Sequence, residues 1–223
     1  MICVMQSTRP RFTMSLDGCL RRNLRMESKR PSNGIWKTGN GGKQSFPVNI
    51  RTIMRRCTAI AKWLLEDRKM KNKKLKVCLV GSSGGHLTHL YMLKPFWENK
   101  DRFWVTFDKE DARSLLSDER FYPLYFPSNR SIKALIINSW RALKILPKER
   151  PDLIISSGAA GAVPFFWLGK LFGTKNIYIE VFDRIDAPTI AGRLCYPVTD
   201  KFIVEWDEMK AVYPKSINLG SIF

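Results

Sequence analysis

From Leu75 onward, short apolar runs alternate with stretches whose apolar residues recur every three or four positions. Several of the short runs are apolar at both odd and even positions, as strands covered on both faces must be. Helical stretches between them are the crossovers that parallel strands need. The pattern predicts strands at Lys76–Val80, Phe103–Phe107, Tyr122–Phe126, Asp152–Ser156, Asn176–Phe182 and Lys201–Trp206. Helices are expected over about Leu87–Trp97, Asp111–Leu116, Ser131–Leu146, Ala160–Leu171 and Thr189–Tyr196. A last apolar strand at 217–223 ends as soon as it forms, like a fold cut at a domain boundary. The expected fold class is α/β, a Rossmann-like parallel sheet with flanking helices over residues 70–223.

Upstream the pattern changes. Residues 1–49 are rich in Arg, Ser, Asn, Gly and Lys and read as a disordered basic extension. Over 50–69 the positions Ile50, Ile53, Met54, Cys57, Ile60, Ala61 and Leu64 share one helical face, with Arg51, Arg55 and Lys62 opposite. This is a basic amphipathic helix. It suits a surface membrane anchor; the alternatives are a helix packed on the domain, or no helix at all. Because Met70 leads straight into the first strand, residues 1–69 also read as an over-extended gene start.

Charge sharpens that division. The net charge is +18, and residues 1–69 hold 15 Lys and Arg against 4 Asp and Glu. Such an excess favours phosphate-bearing partners. No base-stacking motif accompanies it, so no nucleic-acid partner is expected. The five cysteines form no C-x-x-C pair and only two histidines are present, which argues against a zinc site or a disulfide framework. No uninterrupted apolar run approaches the ~20 residues of a membrane span.

The chemistry concentrates in loops that follow strands. Gly81-Ser82-Ser83-Gly84-Gly85-His86 joins the first strand to a helix start. Glycines admit close backbone approach, and the free N–H groups of a first helical turn attract phosphate. His86 at the lip is available for proton transfer. The loop is neither a P-loop nor a dinucleotide fingerprint, because its spacing is Gly-x-x-Gly-Gly. Asp108 stands where a ribose-binding acid would, which keeps a nucleotide-cofactor reading open. His89 is expected to pack or to hydrogen-bond. Ser156-Ser157-Gly158 and the segment Glu180 to Arg184 are expected on the same rim, beyond the carboxyl ends of the strands. Glu180 or Asp183 suits a base or a sugar-hydroxyl ligand, or else a salt bridge with Arg184.

Taken in order, Gly81–His86 with Leu87 and Thr88, the run 156–164, Ile177 to Phe182, and Tyr213-Pro214 followed by 219–223 resemble one subunit of a split glycosyltransferase. The family includes bacterial capsule and exopolysaccharide biosynthesis proteins. It also includes the membrane-anchor subunit of the two-part UDP-N-acetylglucosamine transferase of the dolichol pathway. The resemblance spans 76–223. It implies the N-terminal, acceptor-side half of a GT-B glycosyltransferase, with a separate donor-binding subunit supplying the other half. It further implies inverting transfer from a UDP-sugar to a lipid-pyrophosphate-linked acceptor, with neither metal nor other cofactor.

On that resemblance His86 is the candidate base, with Glu180 second. Gly81, Ser82, Ser83, Gly84, Gly85, Ser157, Gly158, Asp183 and Arg184 are the expected substrate contacts. Tyr213, Leu219, Ile222 and Phe223 are the expected partner interface. Membrane attachment, at the cytoplasmic face, then falls to the basic surface, the 50–69 helix or the partner. A non-catalytic scaffold that recruits the transferase to the membrane is the alternative.

Overall fold

The computed structural model describes residues 49–67, 74–127 and 131–220, all within the unit formed by residues 46–223. Of the expected basic extension only Asn49 is included. Its side chain accepts from the Thr52 amide (3.2 Å) and caps helix α1, Ile50–Glu66.

Seven strands follow: β1 (Lys76–Val80), β2 (Asp101–Phe107), β3 (Phe121–Leu124), β4 (Leu153–Ser156), β5 (Lys175–Ile179), β6 (Lys201–Val204) and β7 (Ile217–Asn218). Every pairing is parallel, in the order β3-β2-β1-β4-β5-β6-β7. The order in which successive strands are added therefore reverses between β1 and β4, where Cys78 faces Phe103 on one side and Ile154 on the other. The expected Rossmann-like α/β architecture is the observed one.

Helices α2 (Gly85–Met92), α3 (Lys94–Trp97) and α4 (Glu110–Leu115) cover one face of the sheet. Helices α5 (Ile132–Glu149), α6 (Ala162–Leu171) and α7 (Ile190–Cys195) cover the other. Alternate strand positions fill the two cores: Val77 and Leu79 pack with Leu87, Leu90 and Trp97, whereas Cys78 and Val80 pack with Ile145, Phe165 and Phe166. The single helix expected over Leu87–Trp97 is two. It breaks at Leu93, ahead of Pro95 in the first turn of α3, where a missing N–H costs nothing.

Helix α1 belongs to the domain. Ile53, Cys57, Ile60 and Leu64 are buried in the α2–α4 core, each contributing roughly 1.5–3 kcal/mol for a large apolar side chain. The apolar face that would insert in a bilayer is thus already used, and of the three readings of this segment the packed helix holds. Arg56 is 1% exposed and pairs with Glu205, just past β6, at 2.8 Å. It also donates to the Gly220 carbonyl (2.5 Å), which ties α1 to the end of the sheet. Among the described residues no helix is long and apolar enough to cross a membrane.

Candidate functional site

In an open parallel sheet, ligands bind beyond the carboxyl ends of the strands where the strand order reverses. Here that point lies between the loop after β1 and the loop after β4. The two loops are joined reciprocally. His86 Nδ1 lies 2.7 Å from the Ser157 carbonyl oxygen, and the Ser157 hydroxyl donates to the His86 carbonyl (2.8 Å). A carbonyl only accepts, so Nδ1 carries the proton and Nε2 keeps the lone pair. Burial pulls the imidazole below its ordinary 6.5. The Ser157 carbonyl and the Asp183 carboxylate act the other way, and Arg184 adds to the lowering. His86 is therefore a neutral imidazole near pH 7, held in one tautomer.

Backbone geometry makes room for it. Gly158 has φ +114°, and a Cβ there would sit 2.9 Å from His86 Cε1 and 3.1 Å from the Tyr178 hydroxyl. The next residue, Ala159, is also left-handed (φ 84°), a strained conformation for a residue with a side chain. The Ser156 hydroxyl braces this turn by accepting from the Gly158 amide (3.0 Å).

The expected contact residues divide by depth. Gly81, Ser157 and Gly158 are buried beneath the rim, and the Ser157 hydroxyl is taken up in positioning the His86 backbone. Ser82 and Ser83 are half-buried, and Gly84 and Gly85 are exposed at the lip. Gly84, with φ +79°, caps α2, and its amide donates to Asp111 (2.6 Å). A carboxylate thus already stands where the sequence led us to expect a phosphate.

Glu180 lies just past β5, and its amide extends the ladder by donating to Ile203 O (2.9 Å). Its carboxylate is 1% exposed and accepts from the Thr189 hydroxyl (3.3 Å) and the Tyr213 hydroxyl (3.4 Å). Burial raises it from 4.5 to about 7. Thr189 also caps α7 by accepting from the Gly192 amide (2.9 Å) and meets the Tyr178 hydroxyl at 3.3 Å. A Cβ at Gly192 would fall 2.6 Å from both the Glu180 carboxylate and the Tyr213 hydroxyl, so only glycine admits this cluster. The ion pair expected for Arg184 forms with Asp183 (3.6 Å), at the surface.

Tyr213 is 1% exposed and packs, with tilted rings, against Phe202 and Tyr196, so it is a core residue and not an interface contact. Leu219 is half-buried against the α1 core, and Ile222 and Phe223 lie outside the described residues. Asp108 is held bidentate by Arg113 (2.6 and 2.8 Å). His89 is buried, stacks on Phe182 and is pushed down to about 3, chiefly by burial. Tyr178, Thr189, Gly192 and Asp111 were not singled out beforehand. Only Thr189 carried a signal, as a polar residue directly before an apolar helix.

Among the described residues no cluster of three His, Cys, Asp or Glu side chains converges as a metal site would need. A cavity of about 500 Å³ opens at the opposite end of the sheet, lined by Asp67, Pro147, Arg150, Thr174 and Lys175. It sits at the amino ends of β4 and β5, away from the reversal point.

The family described as oligosaccharide biosynthesis protein Alg14 like matches residues 126–222. The UDP-N-acetylglucosamine transferase subunit ALG14 of Homo sapiens is 25% identical over 179 residues, covering 66% of this chain and 83% of its own. Its Saccharomyces cerevisiae counterpart is 25% identical over 189 residues, covering 69% and 79%. These subunits are homologues of the chain. Among solved structures, the UDP-N-acetylglucosamine 2-epimerase of Rickettsia bellii superposes with a TM-score of 0.54 at 14% identity. That of Methanocaldococcus jannaschii gives 0.51 at 11%. The match takes in 67% and 66% of this chain but only 45% and 46% of theirs, so the chain spans a little under half the length of those structures. The likeness shows the fold.

Proposed function

We propose that this chain is the acceptor-side subunit of a split, inverting glycosyltransferase, equivalent to the N-terminal half of a GT-B enzyme. A separate subunit binds the UDP-sugar. The acceptor is a lipid-pyrophosphate-linked saccharide, and the setting is capsule or exopolysaccharide assembly at the cytoplasmic face of a membrane. The homologues' designation as transferase subunits supports the reaction class. The observation that carries the reading is His86, kept neutral by burial and held in one tautomer across the reversal point by the Ser157 carbonyl.

The acceptor hydroxyl gives its proton to His86 Nε2 while its oxygen bonds to the sugar C1 from the side opposite the leaving group. The C1–oxygen bond to UDP breaks and UDP leaves with the electron pair. The amides of Gly84 and Gly85 face the acceptor pyrophosphate or the donor phosphate, once Asp111 releases Gly84. Ser82, Ser83, Asp183 and Arg184 complete the lip. Glu180, near pH 7 in its titration, is the second candidate base and requires α7 to move before substrate reaches it.

That burial, with Asp111 on the Gly84 amide, favours one competing reading: a scaffold that recruits the transferase without taking part in chemistry. Reconstitution tests the proposal. This chain alone and the donor-binding subunit alone should leave a UDP-sugar and a lipid-linked acceptor unchanged, and the mixture should transfer. Full turnover by either subunit alone would contradict it.

A further inference from the structure

The sheet-facing side of α5–α7 is filled, yet the outer side is apolar too. On α5, Ile132 is 75% exposed, Ile136 64% and Trp140 61%, at a spacing of four residues that makes one stripe. Exposed Trp167, Ile190 and Leu194 extend it over α6 and α7. The Trp167 indole donates to the Leu194 carbonyl (3.0 Å), so the two helices present one continuous surface. A helix apolar on both sides is covered on both sides in its working state.

Charge identifies what covers it. Lys144 and Lys148 continue the four-residue spacing beyond Trp140, Lys133 lies beside Ile132, and all three are exposed. The only acid on α5, Glu149, is buried and bonded to Lys76 (3.0 Å) and Tyr122. Lys144 Nζ stands 5.2 Å from the Trp140 ring. Aliphatic residues with tryptophan on one stripe, and lysines without acids beside them, match the layering of an anionic bilayer surface. Each of these helices follows a parallel strand, so each begins at the carboxyl rim. Ile132 and Ile190 therefore lie at the level of the His86 loop.

We propose that the outer face of α5–α7 docks on an anionic lipid bilayer, with Ile132, Ile136 and Trp140 entering the interface and Lys133, Lys144 and Lys148 meeting headgroups. The surface itself carries this proposal, and it rests on the transferase reading only for the further point that the acceptor lies in the same bilayer. Vesicle sedimentation of the full chain, with no donor or acceptor present, tests it apart from catalysis. The chain should bind phosphatidylcholine–phosphatidylglycerol vesicles more tightly than phosphatidylcholine vesicles.

Combined Ile136→Glu and Trp140→Glu should lower the partition coefficient at least about tenfold. Lys144→Gln and Lys148→Gln should each lower it about fivefold at low salt. Leu65→Glu, at an exposed site of α1 on the opposite face, should leave it unchanged. Unaltered thermal unfolding of the variants checks the fold, and the lysine variants keep the test open if the double variant does not fold. Absent vesicle binding by the parent chain would overturn the proposal. So would loss of binding on Leu65→Glu alone, or stripe variants that split a dimer while vesicle binding persists.

Discussion

Replacing Glu180 by Gln should stabilise the protein at high pH. The carboxylate is 1% exposed, its hydrogen-bond donors are the Thr189 and Tyr213 hydroxyls, and burial raises it from 4.5 to about 7. Between those values the folded protein holds a proton that the unfolded chain has released. Stability from this group is therefore greatest below about pH 4.5 and is lost as pH rises through 7. A shift of this size corresponds to about 3 kcal/mol. Gln has the shape of the protonated acid and does not titrate. Urea unfolding at a series of pH values should give Glu180→Gln and the parent equal stability below about pH 4.5. The variant should be the more stable by about 3 kcal/mol above pH 7. A flat difference across pH, or a variant less stable at pH 8, would refute the assignment of Glu180 as a carboxylate destabilised by burial.

Other positions give outcomes of different sign. His89, held near 3 against an ordinary 6.5, withdraws stability as pH falls through that window, on the order of 5 kcal/mol in all; His89→Phe should flatten the acid limb of the unfolding profile. Gly158→Ala combines a left-handed φ with a Cβ 2.9 Å from His86 Cε1, and should cost about 2–4 kcal/mol in denaturant unfolding. The same variant should shift the His86 ring resonances in NMR, and unchanged resonances would separate Gly158 from His86. Arg56→Met leaves Glu205 buried and unpaired and should cost about 3–5 kcal/mol, with Glu205→Gln on that background recovering a large part. A single-variant loss below about 1 kcal/mol would contradict a role for the pair in holding α1.

Much of the architecture was legible because it rests on local pattern. Strands such as Val77–Val80 and Leu153–Ser156 are apolar on both faces, and that pattern announces a parallel sheet whatever the tertiary detail. From the parallel sheet followed the rim, and from the rim the proximity of Gly81–His86 to Ser156–Gly158. Other features depend on who sits opposite, and no local pattern holds that. Arg56 sits in a basic helix beside the exposed Arg55, yet it is buried and meets Glu205 across the fold. The resemblance puts Tyr213 at the partner interface, and it is instead buried, donating to Glu180. Ile132, Ile136 and Trp140 fall in a stretch whose pattern predicts only a helix, and only the packed sheet shows that α5 has a second apolar side.

The two sides of the molecule divide the work. The α1–α4 core packs Leu87 and Leu90 beneath the β1 loop, and the Arg56–Glu205 pair ties α1 to the end of β6. The α5–α7 layer carries the Thr189–Glu180–Tyr213 cluster at the rim and the apolar stripe outside.

Turnover by the reconstituted complex carrying His86→Ala is the most direct measurement, read together with the affinity of that variant for the donor-binding subunit. Loss of a general base should lower kcat by about 100- to 10,000-fold while assembly stays intact. Undiminished turnover in a complex that still forms would show that His86 moves no proton and would contradict the account.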